Sequence, residues 1–126
     1  MDLSTFALAL LLMLESLGAD RIDGYRVFER GLDAALAEAR RRRLRVRSHA
    51  NPRLNVSLAV SALKTHKLIC WHAHGKYWSM RRRPERVRLI ATCHLVRDPA
   101  VRFIIRATAV AFLNAAYAQT GPRMAV

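Results

Sequence analysis

The stretch GYRVFERGLDAALAEARRRRLRVR, residues 24–47, changes its hydrophobic period part-way along and so decides the fold class. Up to residue 39 its apolar side chains recur every three or four positions, which predicts an amphipathic helix from about Gly24 to Arg42. From residue 43 apolar and charged residues alternate, with Leu44 and Val46 on one side and arginines on the other, which predicts a strand. A helix that gives way to strands in a short chain indicates an α+β domain.

Two further helices are predicted, one towards each end of the chain. The first covers about residues 3–17, with Asp2 or Ser4 as its cap. Asp98-Pro99 begins the last helix, because an acidic cap followed by proline at the first helical position is a strong start signal. That helix runs to about Gln119, beyond which a Gly-Pro pair stops it.

Strands are predicted in the middle of the chain. Residues 54–63 fit the alternating pattern of a strand, although their apolar positions also fit a helix. Residues 66–80 predict a strand with a turn near His74-Gly75, and residues 86–96 alternate again. The predicted fold class is therefore α+β: two N-terminal helices, a three- to four-stranded antiparallel sheet and one long C-terminal helix, in a single domain over residues 1–126.

Charge is distributed very unevenly along this domain. The chain of 126 residues carries a formal net charge of +13 and is 52% hydrophobic, which is enough for a real core. Residues 1–38 hold three arginines against seven carboxylates, whereas residues 39–126 hold nineteen basic residues against only Glu85 and Asp98. A segment this basic is most easily explained by a polyanionic partner, although an arginine-rich protein without such a partner would have the same composition.

The apolar N-terminal helix bears on assembly and location. Its leucines cover almost the whole circumference, and a helix of that kind is buried on more than one side. We therefore expect it to mediate a homodimer, with a central core helix in a monomer as the alternative. Its apolar run, residues 6–14, is too short for a membrane span, and Asp2 stands where a signal peptide has positive charge. We expect no membrane span and a cytoplasmic location, or a nuclear one in a eukaryote.

Two arginine clusters predict a nucleic-acid interface. The planar guanidinium fork suits phosphate, and aromatic rings beside such cations can stack on unpaired bases. The first predicted cluster comprises Arg40, Arg41, Arg42, Arg43, Arg45, Arg47 and Arg53. The second comprises Lys76, Arg81, Arg82, Arg83, Arg86 and Arg88, with Tyr77 and Trp78 as its aromatic members.

The function that follows is non-enzymatic, backbone-directed binding of nucleic acid. RNA is favoured over DNA, because no helix-turn-helix or other major-groove reader is evident. A viral or mobile-element regulatory or accessory factor is one role that fits. The alternative is an adaptor or inhibitor whose basic face docks an acidic protein. No cofactor is expected, because phosphate-binding glycine loops and nucleophile motifs are absent from the sequence and carboxylates are scarce after residue 38.

A second alternative is metal-dependent chemistry. Cys70, His72 and His74 alternate and would share one face of a strand, and Cys93 could join them from a neighbouring strand to bind zinc. The sequence His72-Ala73-His74, with Tyr117 on a later helix, resembles the layout of HUH endonucleases. That resemblance implies that the two histidines bind a metal ion and that Tyr117 attacks a DNA phosphate.

The predicted element order also resembles a known module. Helix, strands and helix over residues 24–119 are similar in order to double-stranded RNA-binding domains. The lysine-rich start of that family's second helix is absent, because here the helix opens with DPAVRFIIR.

Overall fold

The structure is a computed structural model and describes residues 1–81 and 97–118. Within these ranges it contains four helices and a three-stranded antiparallel sheet, so the predicted α+β class is confirmed. The helices are α1 (Leu3–Ser16), α2 (Tyr25–Arg41), α3 (Pro52–Thr65) and α4 (Pro99–Ala116). The strands are β1 (Arg21–Ile22), β2 (Ile69–His72) and β3 (Tyr77–Met80).

Helices α2 and α4 approach each other closely at Gly31. A Cβ atom at that position would lie 2.7 Å from Cε2 of Phe112, so only glycine lets the phenyl ring lie against the α2 backbone. The neighbouring Arg30 donates from Nη2 to the carbonyl oxygen of Ala116, at 2.7 Å. This bond satisfies one of the carbonyls that the end of α4 leaves without a helical partner. Adjacent residues of α2 therefore fix both the distance to α4 and the end of α4.

Helix α1 is largely buried within a single chain. Asp2 caps it by accepting a hydrogen bond of 2.7 Å from the backbone N–H of Thr5. Seven of its residues are buried, and the helix packs against α3 and α4. The central core helix, which was the alternative to a dimer interface, accounts for most of its apolar circumference. Leu8 and Leu12 stay partly exposed, and the homodimer remains a prediction.

Residues 54–63 are helical, so the strand favoured for them from the sequence is wrong. Asn51 caps α3 by accepting a hydrogen bond from the N–H of Arg53, and Pro52 occupies the first turn, where its missing N–H costs nothing. The buried residues of α3 recur with the helical period and include Val56, Val60 and Leu63. Leu54, which a strand would have buried, is 42% exposed.

The predicted strand at residues 43–47 is also absent, although its alternation is correct. Leu44 and Val46 are half-buried against the core, and the arginines between them are exposed. Its only strand-like pairing is an isolated bridge between Asp2 and Arg47. Because α3 interrupts the expected run of strands, the element order of double-stranded RNA-binding domains is not found.

The predicted turn near His74-Gly75 is part of a β-hairpin. Strand β3 lies between β1 and β2, and β2 pairs with it in a register that places Trp71 opposite Trp78 and His72 opposite Tyr77. Because side chains alternate along a strand, the two tryptophans share one face of the sheet, and His72 and Tyr77 share the other. The strand predicted at 86–96 lies outside the described residues.

Among the described helices, α4 is long and apolar enough to cross a membrane, by length and composition alone. Asp98 caps it through a bond of 2.9 Å from the N–H of Ala100. Ile105 and Phe112 are buried in the core, whereas Arg102 and Arg106 are exposed. We interpret α4 as a core helix with a charged outer side, and the absence of a membrane span remains a prediction.

Gly31→Ala should lower the free energy of unfolding by about 1–3 kcal/mol, because the added methyl group overpacks the contact with Phe112. In an exposed helix interior the same change stabilises by roughly 1 kcal/mol, so the sign is diagnostic. Urea unfolding would measure it. In a Phe112→Leu background, which provides space, the cost of Gly31→Ala should shrink. A stabilising effect of Gly31→Ala in the native background would contradict the close approach.

Candidate nucleic-acid interface

Four exposed arginines surround a groove at the C-terminal end of α2, which we call the basic groove. Its volume is about 430 Å³. Leu44 and Val46 are half-buried within its lining, so the groove combines apolar surface with the guanidinium groups around it. The groove is lined by Met1, Arg40, Arg43, Leu44, Arg45, Val46 and Arg47.

A left-handed residue at the end of α2 shapes this groove. Arg43 has φ 63°, which is a strained conformation for a residue with a side chain. The N–H of Leu44 donates to the carbonyl of Ala39, and that of Arg43 to Arg40, which together form a Schellman motif. The motif turns the chain back so that Leu44 contacts the core while the side chain of Arg43 is exposed.

Main-chain hydrogen bonds of Met1 fix the other side of the basic groove. The amino group of Met1 donates to the carbonyl of Arg45, and its carbonyl accepts from the N–H of Arg47, both at 3.0 Å. Asp2 lies close to Arg47, and its pKa is lowered by its bonds to Thr5 and, to a smaller extent, by the charge of Arg47. The main chain of residues 45–47 is therefore fixed, and the groove has one carboxylate near its edge.

The arginine run at residues 40–43 divides into paired and unpaired members. Glu38 accepts from Nε of Arg41 at 3.0 Å and from Nε of Arg42 at 2.7 Å. Hydrogen bonds from these two arginines lower the pKa of Glu38. The Arg42 guanidinium also lies 5.0 Å from the ring centre of Phe103.

Arg40 and Arg43 differ from these partnered arginines. In the described part of the chain, no carboxylate lies within ion-pair distance of the guanidinium of Arg40, Arg43, Arg45 or Arg47. Four cations therefore surround the basic groove with no direct counter-ion among residues 1–81 and 97–118. A phosphate or another anion that enters the groove would not have to displace an existing carboxylate partner.

The second predicted cluster is described only in part. Lys76 lies exposed in the hairpin turn with φ 53°, and Arg81 lies exposed after β3. Arg82, Arg83, Arg86 and Arg88 lie outside the described residues. Arg53, which the sequence assigned to the first cluster, lies at the start of α3 and lines a different groove.

The predicted aromatic members are buried or half-buried in the structure. Trp78 is 1% exposed, so the stacking on bases predicted for it is not available to its ring. Tyr77 is half-buried; its ring stacks on His72 at 4.8 Å between centres and lies 4.5 Å from the Arg21 guanidinium. Both rings of the prediction are therefore already occupied by contacts within the chain.

Two other aromatic rings are exposed in their place. Tyr25 is 54% exposed and Trp71 is 38% exposed, with ring centres 6.3 Å apart. The helical period places Tyr25 in the apolar stripe of α2, and Trp71 lies beside the second cluster in the sequence, but neither ring was among the predicted binding residues. The sequence did contain a signal for the exposure of Tyr25. This tyrosine stands at the start of the predicted helix, where no preceding helical turn lies beside the side chain.

The geometry of the described residues gives little support to a zinc site or to a metal-dependent nuclease centre. Cys70 and His72 share a face of β2, but His74 lies in the turn and Cys93 is outside the described residues. Nε2 of His72 is hydrogen-bonded to Oγ of Ser79 at 2.8 Å. Within residues 1–81 and 97–118, no three His, Cys, Asp or Glu side chains are grouped to hold a metal ion.

Tyr117, the candidate nucleophile, is engaged with the main chain. Its hydroxyl donates to the carbonyl of Arg21 at 2.9 Å. Burial raises its pKa, which makes the phenolate that would attack a phosphate harder to form. The hydrogen bond ties the end of α4 to β1, so packing is sufficient to explain this tyrosine.

Glu38→Gln should show what the carboxylate does for stability. Because the pKa of Glu38 is lowered in the folded state, its stabilisation is present at neutral pH and is lost as the pH falls below about 4. We expect the variant to lose up to about 1 kcal/mol of unfolding free energy at pH 7 and a smaller amount at about pH 3, where protonation of the carboxylate has begun. Urea unfolding at both pH values checks this; an equal loss at both would contradict it.

The same variant should bind polyanions more tightly. Removing the carboxylate frees Arg41 and Arg42, so the dependence of nucleic-acid affinity on salt should become steeper. Asp20→Asn is the matched control, because it makes the same charge change at an exposed residue beside β1. A filter-binding salt series measures both. Equal effects of the two variants would show that only net charge matters.

Comparison of this chain with protein-family models, with curated proteins and with solved structures finds no match. No relative therefore supplies a substrate, a ligand or the role of a residue. The function proposed below rests on the geometry and charge of the chain itself.

Proposed function

We propose that this protein binds nucleic acid without acting as an enzyme, and that the basic groove contacts the phosphate backbone. The observation that carries the proposal is the set of four exposed arginines around one groove, none with a direct carboxylate partner among the described residues. Holding like charges together costs free energy, which an incoming polyanion would recover. The clustered arginines therefore favour a ligand that carries several negative charges.

The shape and chemistry of the groove suit phosphate. A guanidinium can donate two parallel hydrogen bonds to phosphate oxygens, and charge-assisted bonds of this kind are stronger than neutral ones. Leu44 and Val46 add apolar surface that can contact a sugar. Contacts of this type fix position but do not read sequence, so binding should be largely independent of sequence and weakened by salt.

The arrangement of the helices favours RNA over DNA as the ligand. A helix-turn-helix joins its helices through three or four residues. In the described ranges, α1 and α2 are separated by residues 17–24, and α2 and α3 by residues 42–51. The arginines of the basic groove lie at the end of a helix and on an extended segment, not along a helix that could enter a major groove.

The non-enzymatic part of the proposal rests on the shortage of acidic groups in the basic part of the chain, residues 39–126. Asp98, one of two carboxylates after residue 38, is occupied in capping α4. Two-metal phosphoryl chemistry needs several carboxylates to hold its cations. Binding alone needs none.

Arg43→Gly tests the proposal without harming the fold. Glycine adopts the left-handed conformation freely, so the variant should be at least as stable as the native protein. We expect affinity for a short RNA to fall about tenfold and the log–log salt slope to decrease by about one, because one phosphate contact is lost. Fluorescence anisotropy from about 50 to 200 mM salt measures both quantities.

Lys67→Gly is the matched control. Lys67 follows α3 in the same left-handed position of a second Schellman motif, with φ 55°, and is exposed away from the basic groove. It should lose little affinity although it loses the same charge. Equal losses in the two variants would show that bulk charge, not the groove, binds RNA. Failure of the native protein to bind any nucleic acid at low salt would overturn the proposal and favour an acidic protein partner.

A further inference from the structure

Two exposed aromatic rings, Tyr25 and Trp71, form a small surface that we call the aromatic platform. Both contact the buried Trp78, whose ring centre lies 4.7 Å from that of Tyr25 and 4.6 Å from that of Trp71. The rings of Tyr25 and Trp78 meet edge-to-face at an interplanar angle of 79°, and Phe28 packs on Trp78 from within the core. The buried Trp78 ring therefore supports both exposed rings from the core side.

Gly24 explains how this platform is assembled. It has φ 101°, and a Cβ atom there would lie 3.2 Å from the carbonyl oxygen of Lys76. Glycine therefore allows the start of α2 to lie against the hairpin turn. As a result Tyr25, the first residue of α2, reaches the face of the sheet that carries the two tryptophans.

The platform borders a second groove, which lies between α2 and α3. Its volume is about 620 Å³, and Tyr25, Arg26, Glu29, Asp33 and Arg53 contribute to its lining. Arg30 also lines it but donates to the end of α4. Unlike the basic groove, this groove carries both cations and carboxylates beside an exposed aromatic ring.

We propose that this α2–α3 groove binds an unpaired base of single-stranded RNA, with the base stacked on Tyr25. The inference rests on the proposed function and adds what the second groove recognises. Bases stack on aromatic rings in single-strand binding because every base has a π-face. The carboxylates of Glu29 and Asp33 only accept hydrogen bonds, so they repel phosphate but suit N–H groups of a base edge.

The two hydrogen-bond-accepting carboxylates predict which base the α2–α3 groove binds more tightly. Guanine presents adjacent N–H donors at N1 and N2, whereas uracil presents one N–H between two carbonyl oxygens that a carboxylate repels. Guanine should therefore be preferred over uracil. Arg26 and Arg53 are exposed and can meet the phosphates on either side of the bound base.

The two grooves lie along the same side of α2. Arg26, Asp33 and Arg40 are spaced by seven residues and all are exposed, so they follow one helix face. Arg26 and Arg40 are separated by about 21 Å along the helix axis. A single strand of a few nucleotides can cover this distance, with a base at Tyr25 and phosphates in the basic groove. A duplex keeps its bases stacked and could use only the basic groove.

The test compares single-stranded and duplex RNA of equal length with native protein, Tyr25→Leu and Tyr25→Phe. We expect Tyr25→Leu to weaken single-strand binding at least about fivefold and to leave duplex binding within about twofold, because only the unpaired base loses its stack. Tyr25→Phe keeps the aromatic ring and should behave as the native protein. Because Tyr25 is largely exposed, circular dichroism should show that both variants fold.

A second measurement addresses the base edge and does not depend on Tyr25. Oligoguanylate-containing and oligouridylate strands are titrated against native protein and Glu29→Gln. The guanine-to-uracil affinity ratio should be greater than about threefold in the native protein and should fall towards one in the variant, even though the added positive charge strengthens binding to both.

Each unfavourable outcome has a separate meaning. If Tyr25→Leu leaves single-strand affinity unchanged while Arg43→Gly weakens it, the base site is wrong and the proposed function stands. Equal losses for single strand and duplex would assign Tyr25 a general structural role and also overturn the base site. If no form of the protein binds RNA or DNA, both proposals fail together.

Discussion

The contact between Gly31 of α2 and the ring of Phe112 is the constraint on which the rest of the structure depends. It sets the separation of the two longest helices, and Arg30 beside it closes the end of α4. Once α2 is fixed in this way, its two ends are fixed as well. One end presents Tyr25 beside the hairpin, and the other presents the left-handed turn at Arg43. Both candidate binding grooves are thus consequences of the placement of a single helix.

The role that we propose for each arginine depends more on whether it pairs with a carboxylate than on the total number of charges. Glu38 partners Arg41 and Arg42, whereas Arg40 and Arg43 carry no direct carboxylate partner in the described ranges. Neighbouring arginines on one helical turn therefore have different functions in our proposal. Arg41 and Arg42 pair with Glu38 at the end of α2, and the Arg42 guanidinium also lies over the Phe103 ring, whereas Arg40 and Arg43 line the basic groove. The α2–α3 groove differs again, since its carboxylates make it a better site for a base than for a phosphate.

Part of the candidate site could be predicted from sequence and part could not. The arginines of residues 40–47 were predicted from composition and alternation, and Leu44 and Val46 do face the core as the alternation indicated. Of the predicted aromatic members, Trp78 is buried and Tyr77 is half-buried against His72. Strand alternation places Trp71 and Trp78 on one face, but it does not say how far α2 extends over that face. The start of α2 covers Trp78 and leaves Trp71 and Tyr25 partly open, which depends on a contact between distant segments.

The sequence by itself determined the elements with strong local signals. The helical period and the caps at Asp2 and Asp98 predict α1, α2 and α4, and the turn at His74-Gly75 predicts the hairpin, because these signals act over a few residues. Only the tertiary structure decided between helix and strand at residues 54–63, where the apolar positions fit both periods. Val56, Val60 and Leu63 are buried while Leu54 and Leu58 are exposed, which selects the helix, since a strand would have placed Leu54, Val56, Leu58 and Val60 together on one face and Leu63 on the other. Tertiary packing likewise decided which arginines and which rings face solvent, because exposure depends on what lies across from a residue in space.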